Sequence, residues 1–598
     1  MNKLLAVVLS FLLLISTGCV KNLKINWITS PPEQLEQYGL FELSFGLGKN
    51  YQNPYDAEEV MVDLIVTFKD TAVYTVPCFY YEEYLLDSAN LVLESTGKSY
   101  WKARYTPDAE GECKYLIRVK DANGIAQSEP KRLTVGHSEN RGFIRNHNAG
   151  YLLFDDGSPL FLNGFNLSVP PRDRPLDYTH FFKTWHNNAM NYTRLWLAPP
   201  WGPYAFALEW TDGQYPTQKG KLGLKKYNQE VSARLDDFMR QAERYGIYIM
   251  LCLGDERELE TGIFRGDSLP RTRSFWQANP YNAANGGPAL SPLEFFIKDE
   301  AREIYKNRLR YLIARWGYST HLMAWEFWNE IDHPKWCQDW NFVKQTIADW
   351  HREMGAYMKH TDPYHPIVST SFSHENNQPL IWDLEVMDLV QGHNYGGSEN
   401  MALRVSSITE ELKKAFPEKP MFLSEYGTDF RGYTHKGEAE EIAIHNSIWA
   451  SALSGGTGTT MWWWWNSIDG DNLYFHYRIL GQFIKDIPWT ETIDLAIQSN
   501  SPLVFTVGRG TGDEAWIWVH NTGNNWDHAK NGIPVGEIDK VSIRMPDFRD
   551  GRYLIAPFDT YEGNYLPVKQ VEANGYLEVR LPELKSDLAF KIKNITND

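Results

Sequence analysis

Residues 322–330 read LMAWEFWNE, an apolar run that ends in two polar side chains, Asn329 and Glu330. Residues 420–427, PMFLSEYG, have the same form and carry Glu425 near their end. Short apolar runs of this kind are typical of buried strands in a parallel sheet, where both faces are covered. The two stretches therefore predict parallel strands with a carboxylate at each C-terminal end.

Similar runs alternate with amphipathic helices through residues 139–495. One helix is indicated by Val231, Leu235, Phe238 and Ala242 at helical spacing, and Gly246 marks its end. The alternation is typical of repeated βα units. Eight strands are predicted, at residues 160–166, 190–198, 247–254, 322–330, 366–372, 387–395, 420–427 and 459–466. Eight βα units favour a closed (β/α)8 barrel, or TIM barrel, over an open sheet.

Short β-rich runs separated by turn formers occupy both flanks of this region, at residues 24–138 and 496–598. Each flank is predicted to form a β-sandwich domain. The chain is thus predicted to be multidomain, with the barrel between two sandwiches.

The formal net charge is −17, and the sequence has no dense run of Lys and Arg. Nucleic acids and anionic membrane surfaces are bound through clustered positive charge, so neither is expected as a partner of the folded domains. A neutral ligand fits this composition better.

The N-terminus indicates export. A lysine at position 3 precedes an apolar run at residues 4–15, which is too short to span a bilayer and suits a signal peptide at residues 1–18. The small residues before Cys19 resemble the bacterial lipobox, although Ser16 stands where that pattern usually has Leu. The resemblance implies lipidation of Cys19 and anchoring to a bacterial membrane, at the outer-membrane, periplasmic or cell-surface face. Plain cleavage of the signal peptide is the alternative.

Four further cysteines do not form the close pairs of a metal site; they are Cys78, Cys113, Cys252 and Cys337. Cys78 and Cys113 fall in the same predicted β domain, and an exported protein permits either a disulfide or two thiols there. Cys252 lies in an apolar run and is expected to be a buried thiol. No metal or other cofactor is predicted.

Active sites of such barrels lie at the C-terminal ends of the strands. Glu330 and Glu425 end the fourth and seventh predicted strands, which face each other across an eight-stranded ring. Glycoside hydrolysis with retention uses two carboxylates about 5 to 5.5 Å apart on either side of the scissile bond. This pair can therefore bracket a sugar.

With these motifs the chain resembles the clan-A glycoside hydrolases, the group that contains cellulases, β-mannanases and β-galactosidases. The family pattern has Asn-Glu ending strand four and Glu ending strand seven, which correspond to Asn329, Glu330 and Glu425. The resemblance covers the predicted barrel and implies that Glu330 is the acid/base and Glu425 the nucleophile. Residues 24–138 resemble the immunoglobulin-like module that often precedes carbohydrate-active barrels.

The resemblance implies further substrate-site residues. Arg194 matches the strand-two arginine that bonds the nucleophile, and a guanidinium there is expected to lower the pKa of Glu425. His393 and Tyr395 match the His-x-Tyr motif of strand six, and Tyr395 is expected to donate a hydrogen bond to Glu425. Clan members place a tryptophan of strand eight beneath the reacting sugar, and strand alternation selects Trp463 and Trp465.

Several of these residues have structural alternatives. Arg194 fits a purely structural ion pair, and His393 fits a core histidine. Glu326 is expected to be a buried carboxylate paired with a basic residue, and Asn329 can share the site with Glu330 only if the strand ends or bulges there. Two further residues are candidates for binding sugar hydroxyls: Asp255, which ends the third predicted strand, and Asn282.

The function predicted from these residues is a retaining glycoside hydrolase that cleaves a β-linked oligosaccharide or polysaccharide by double displacement. The alternative is a non-catalytic glycan-binding lipoprotein, which would have no use for the two glutamates with Arg194. A barrel metalloenzyme is disfavoured because the strand ends lack a cluster of His and Asp ligands. The sugar and its linkage are not indicated.

Overall fold

The computed structural model describes residues 21–22, 24–29, 32–69, 72–87, 92–146, 150–168, 178–197, 206–209, 223–262, 274–373, 378–396, 400–431, 437–546 and 548–596. The chain divides into two compact units. One comprises residues up to 81 and residues 99–137, and the other comprises residues 82–98 and 138–598. The predicted signal peptide and Cys19 lie outside the described residues.

The N-terminal strands form two sheets, in the orders β1-β10-β9-β11-β3, with β5 and β6 attached through β9, and β2-β4-β8-β7. Phe41 of one sheet packs edge-on against Tyr115 of the other, with ring centroids 4.9 Å apart. The strands are β1 (Lys21–Asn22), β2 (Ile25–Trp27), β3 (Gln34–Glu36), β4 (Phe41–Leu47), β5 (Val60–Phe68), β6 (Ala72–Pro77), β7 (Phe79–Asp87), β8 (Val92–Tyr105), β9 (Gly111–Asp121), β10 (Gly124–Gln127) and β11 (Lys131–Gly136). Cys78 and Cys113 are buried and form no disulfide, so the disulfide alternative is wrong.

Parallel strands form the centre of the second unit, after a small antiparallel sheet of β12, β13 and β14. They pair in the orders β15-β16-β17-β18 and β19-β20-β21. The strands are β12 (Ile144–Asn146), β13 (Leu152–Phe154), β14 (Pro159–Leu160), β15 (Tyr192–Trp196), β16 (Tyr248–Cys252), β17 (Leu322–Glu326), β18 (Ile367–Ser369), β19 (Ser371–Phe372), β20 (Val390–Tyr395) and β21 (Met421–Gly427).

Isolated parallel bridges join two more segments to these strands. Gly164 pairs with Tyr192, Leu162 with Gly458, and Tyr426 with Trp462. A Cβ on Gly164 would lie 2.0 Å from the carbonyl oxygen of Tyr192, so only glycine permits this approach. The segments at 162–164 and 458–462 thus connect β15 to β21. Because β18 and β19 are separated by Thr370 alone and together occupy the fifth predicted strand, the described residues contain eight parallel segments in the order of the eight predicted strands.

Helices separate the parallel segments. The predicted helix is confirmed as α2, with Asn228 capping its N-terminus, Gly246 at φ 69° after its last turn, and Val231, Leu235, Phe238 and Ala242 buried. The helices are α1 (Tyr178–Asn187), α2 (Gln229–Tyr245), α3 (Phe275–Ala278), α4 (Pro292–Ile297), α5 (Asp299–Trp316), α6 (Pro334–Cys337), α7 (Trp340–Thr361), α8 (Pro379–Trp382), α9 (Met401–Ala415), α10 (Glu438–Leu453), α11 (Trp465–Gly470) and α12 (Tyr474–Ile484). Short 3-10 helices lie at Glu256–Leu259, Ala283–Asn285 and Trp489–Glu491.

The C-terminal strands form a six-stranded sheet in the order β22-β24-β25-β30-β27-β28 and a three-stranded sheet in the order β23-β26-β29. Their shared core includes Ile517, Ile543, Ile555 and Phe590. The elements are β22 (Ile493–Asp494), β23 (Gln498–Ser499), β24 (Val504–Gly510), β25 (Glu514–Asn521), α13 (Trp526–Lys530), β26 (Ser542–Met545), β27 (Gly551–Phe558), β28 (Lys569–Ala573), β29 (Leu577–Arg580) and β30 (Asp587–Asn594). Within the described ranges, no helix has both the length and the apolar character that a membrane span requires.

Candidate active site

Glu330 lies just beyond the end of a strand. The strand β17 ends at Glu326, four residues earlier than predicted, and Glu330 has a φ of 45°. The backbone N–H of Asn329 donates to the carbonyl of Gly254 at 2.8 Å, and the N–H of Glu330 donates to Ser371 Oγ at 3.2 Å. The left-handed backbone costs on the order of 1 to 3 kcal/mol, so these bonds hold a strained turn. Strand alternation stops here, which is the condition for Asn329 and Glu330 to share a site.

Glu425 lies within β21, opposite His393 of β20. The register of these two strands shifts between Gly392 and His393, and the shift pairs His393 with Glu425. His393 Nδ1 lies 2.8 Å from Glu330 Oε1 and 3.5 Å from Glu425 Oε2. One ring nitrogen of His393 and one carboxylate oxygen each of Glu330 and Glu425 all lie within 4.8 Å of one another. The two carboxyl groups are therefore close neighbours.

Arg194 of β15 connects the carboxylates beneath the site and is fully buried. Its Nη1 donates to Glu425 Oε1 at 2.7 Å, while its Nε and Nη2 donate to the two oxygens of Glu326 at 2.6 Å each. Burial alone would disfavour the charge, but Glu326 and Glu425 raise the pKa of Arg194 well above its usual value. Arg194 is thus both half of a buried ion pair and a direct partner of Glu425, and Glu326 has the basic partner that was expected.

Tyr395 ends β20 and donates from its hydroxyl to Glu425 Oε2 at 2.6 Å. Burial and the neighbouring Glu425 raise the pKa of Tyr395 well above its usual value. The hydroxyl therefore keeps its proton and remains a donor to the carboxylate.

The pKa of Glu425 lies above the usual carboxyl value because the group is buried. His393, Arg194 and the hydrogen bond from Tyr395 lower it, whereas Glu330 raises it. The expectation of a lowered pKa is therefore wrong in its net direction. The physical reason is desolvation: a carboxylate that is 4% exposed loses more hydration than its partners replace.

The tryptophans after the eighth parallel segment do not alternate as predicted. Trp463 packs against Trp196 and Cys252, with indole centroids 5.1 Å apart, near Arg194. Trp465 instead starts α11 and packs edge-on against Phe181 of helix α1. The alternation fails because the extended segment ends before Trp465, which belongs to α11.

Asp255 and Asn282 are engaged by their own loops. Asp255 is fully buried and caps the 3-10 helix Glu256–Leu259 by accepting from the N–H of Arg257 at 2.9 Å. Asn282 accepts from the N–H of Ala284 and donates to the carbonyl of Trp276, both at 2.9 Å. Each side chain therefore stabilises the backbone of its own loop.

Two carboxylates near Glu330 were missed. Glu256 is buried and accepts from Asn329 Nδ2 at 2.8 Å, and Asp332 accepts from the N–H of Ser373 at 2.6 Å. Burial, with a contribution from Glu330, raises the pKa of Asp332 to about 6. A signal for Glu256 existed in the sequence, because four charged residues at 255–258 directly follow an apolar strand.

Glu330, His393 and Glu425 also form a group whose donor atoms are close enough to hold a metal ion, within the part of the chain that the structure describes. A cation there would lie beside the guanidinium of Arg194, whose Nη1 is 2.7 Å from Glu425. Like charges at such a distance repel strongly in a buried site. The arrangement fits proton transfer and nucleophilic attack by carboxylates better than metal binding.

Comparison with protein families gives two matches. The family described as cellulase (glycosyl hydrolase family 5) matches residues 155–468, a range that contains Arg194, Glu330, His393, Tyr395 and Glu425. Residues 34–120 match DUF5060, a domain of unknown function. The first match covers more than half of the chain.

Similar curated proteins include mannan endo-1,4-β-mannosidase 2 of Oryza sativa subsp. japonica, 23% identical over 52% of this chain and 75% of that protein. Mannan endo-1,4-β-mannosidase 7 of Arabidopsis thaliana is 23% identical over 55% of this chain and 79% of its own length. A solved structure from Bacteroides vulgatus ATCC 8482, described as a candidate glycoside hydrolase, aligns with 94% of this chain and 100% of its own at a TM-score of 0.62 and 14% identity. That likeness concerns the fold alone.

Proposed function

Because the chain belongs to glycosyl hydrolase family 5, we propose that it is a retaining β-glycanase that cleaves β-1,4-linked mannan internally, with Glu425 as nucleophile and Glu330 as acid/base. Its membership makes the protein an O-glycosyl hydrolase. The mannan specificity is supported by relatives named mannan endo-1,4-β-mannosidase, at 23% identity.

One observation supports the retaining mechanism more than any other. An oxygen of Glu330 and an oxygen of Glu425 lie within 4.8 Å of each other, with His393 beside both. Retaining enzymes hold their carboxyl groups about 5 to 5.5 Å apart, whereas inverting enzymes need about 6.5 to 9.5 Å to admit a water between carboxylate and sugar. The spacing suits direct attack by Glu425.

In the first step Glu425 attacks the anomeric carbon while Glu330 gives its proton to the glycosidic oxygen, so the leaving chain departs as a neutral alcohol. Arg194 and Tyr395 bind different oxygens of Glu425. They fix the rotation of the carboxylate and hold it for attack. Trp463 offers an aromatic surface next to this network for the reacting sugar.

In the second step the ionised Glu330 takes a proton from water, and the oxygen of that water attacks the anomeric carbon. The ester bond to Glu425 breaks, the sugar leaves with its original configuration, and both glutamates return to their starting protonation states. His393 Nδ1, 2.8 Å from Glu330 Oε1, steadies the carboxyl group through both steps.

The eight linked parallel segments and the helices between them support a (β/α)8 barrel as the catalytic domain. Both proposed catalytic residues then lie where strands end, as in other barrels of this kind. We further infer that the two-sheet arrangements at the N-terminal and C-terminal ends are β-sandwich modules. A non-catalytic glycan-binding protein is the weaker proposal, because binding alone would not need a nucleophile held by Arg194 and Tyr395.

We expect β-1,4-manno-oligosaccharides to be hydrolysed faster than β-1,4-gluco-oligosaccharides of equal length, with the β-anomer as the first-formed reducing end. Proton NMR during the reaction measures the rate and the configuration in one experiment. An α-anomer formed first would contradict retention, and faster cleavage of the gluco-series would contradict the mannan assignment. Release of single sugars only from chain ends would contradict internal cleavage.

We also propose that the chain is exported, cleaved before Cys19 and held at a bacterial membrane by lipid on that cysteine. The support is the sequence of residues 1–19, where a short apolar run precedes small residues and a cysteine. Mass spectrometry of the mature N-terminus is expected to find acylated Cys19, and Cys19→Ala should release the protein from membranes. An unmodified N-terminus beyond Cys19 would remove the anchor.

A further inference from the structure

Glu256 lies in the loop that follows β16, close to the end of that strand. It is the first residue of the 3-10 helix Glu256–Leu259. Asp255 caps this helix through a capping box in which the N–H of Asp255 donates to Glu258 at 3.1 Å. The helix start is thus fixed by its own hydrogen bonds, and the direction of the Glu256 side chain is fixed with it.

The strand that carries Glu330 ends next to this helix. Asp255 and Asn329 form a parallel bridge pair. Asn329 Nδ2 then donates to Glu256 Oε2 at 2.8 Å, and Asn329 Oδ1 accepts from Arg194 Nη2, also at 2.8 Å. The amide of Asn329 is therefore held between a carboxylate on one side and a guanidinium on the other.

This arrangement allows the amide a single orientation. An arginine can only donate, so rotating the amide by half a turn would set its NH2 group against the guanidinium of Arg194, donor against donor. Asn329 is 2% exposed, where such mismatches are costly. An amide nitrogen carries two hydrogens, so one remains beyond the bond to Glu256 for a substrate hydroxyl.

Glu256 also belongs to the electrostatic surroundings of Glu330. Burial and the carboxylates of Asp255 and Glu330 raise the pKa of Glu256, and the guanidinium of Arg257, whose Nε lies 3.4 Å from Glu256 Oε1, opposes that shift. The raised pKa favours the protonated form of Glu256, whose carbonyl oxygen can still accept from Asn329 Nδ2.

We propose that Glu256 is a positioning residue for the reaction: it fixes the orientation of the Asn329 amide toward the substrate. This inference rests on the proposed function of Glu330 and Glu425. It goes beyond that function because it adds Glu256, in the loop after the neighbouring strand, to the site. Glu256 acts through Asn329 and does not touch the sugar.

The test compares Glu256→Met, which keeps the volume and removes the acceptor, with Glu256→Gln, whose carbonyl can still accept from Asn329. We expect Glu256→Met to lower kcat/KM by about 10²-fold, the loss typical of a misplaced substrate-binding group. Glu256→Gln should recover most of that loss, because its side-chain carbonyl keeps the Asn329 amide in place. Glu260→Gln is the matched control, a buried carboxylate on the same loop with Lys335 at 3.7 Å.

A double-mutant cycle with Asn329→Ala separates positioning from a general effect on folding. If Glu256 acts through Asn329, adding Glu256→Met to Asn329→Ala should cause no further loss. Losses that multiply would overturn the proposal, as would equal losses in Glu256→Met and Glu260→Gln. If Glu256→Met does not fold, Glu256→Gln carries the test alone: its kcat/KM should stay within about tenfold of the wild type. A loss in Glu256→Gln as large as that in Asn329→Ala would also overturn the proposal.

The positioning role of Glu256 and the proposed function are contradicted by different results. Wild-type turnover that survives Glu425→Ala would remove the proposed catalytic mechanism, whatever Glu256 does. Full dependence on Glu425, together with an unchanged Glu256→Met enzyme, would leave the mechanism intact and remove only the positioning role.

Discussion

Glu425→Ala is expected to abolish turnover on every substrate, with a loss of about 10⁴-fold or more in kcat. Without the carboxylate no covalent glycosyl-enzyme can form, and a good leaving group cannot compensate because the first bond is never made. Initial rates on a polysaccharide and on an aryl β-glycoside measure the loss. Glu425→Gln, which is nearly isosteric, is the folding control and should be equally inactive.

Glu330→Ala should behave differently. An aryl glycoside with an acidic phenol needs no proton to leave, so the intermediate still forms at Glu425, whereas hydrolysis of the polysaccharide should fall by about 10² to 10⁴-fold. The glycosyl-enzyme then accumulates, because the variant has no base at position 330 to activate the attacking water. Added azide should restore release, because azide attacks the anomeric carbon without deprotonation and displaces the carboxylate of Glu425.

The configuration of the azide product assigns the two roles. In Glu330→Ala, azide attacks the glycosyl-enzyme and should give the β-glycosyl azide, with overall retention. In Glu425→Ala, azide attacks the aryl β-glycoside itself from the vacated side and should give the α-glycosyl azide. Exchanged products would mean that the roles are reversed, and no azide product from either variant would contradict the double displacement.

The positions of the two glutamates were predictable because they depend on strand ends, which short apolar runs mark clearly. The eight parallel segments follow from the same signal. The contacts of the side chains between the two glutamates were harder to predict. His393 faces Glu425 because of a register shift that no sequence pattern indicates. Trp465 was misplaced because the start of a helix ended the alternation on which its prediction depended.

The protonation of Glu425 could not be judged from its partners alone. The sequence identifies Arg194 as a partner that lowers the pKa, and the structure gives the bond, at 2.7 Å. The opposing effect is burial, which depends on the packing of many residues from distant parts of the chain. The contact of Glu256 also depends on residues distant in the chain, because its partner Asn329 follows a different strand, β17.

Arg194→Lys is expected to lower kcat/KM substantially and to move the acid limb of its pH profile to higher pH. Lysine keeps the positive charge but has one ammonium group, which cannot replace the separate bonds from Nε, Nη1 and Nη2 to Glu326, Glu425 and Asn329. With a weaker partner, the pKa of Glu425 rises further above its already raised value. The nucleophile must be ionised, so activity is lost at a higher pH than in the wild type.

Stability should fall in the same variant, because each buried acceptor left without a donor costs about 1 to 3 kcal/mol. Arg315→Lys provides the control: Arg315 is also fully buried, and it bonds Asp236 through Nη2 at 2.7 Å, linking α5 to α2. Both variants should lose Tm, but only Arg194→Lys should shift the acid limb of kcat/KM. Equal shifts in both, or none in Arg194→Lys, would mean that Arg194 stabilises the fold without tuning Glu425.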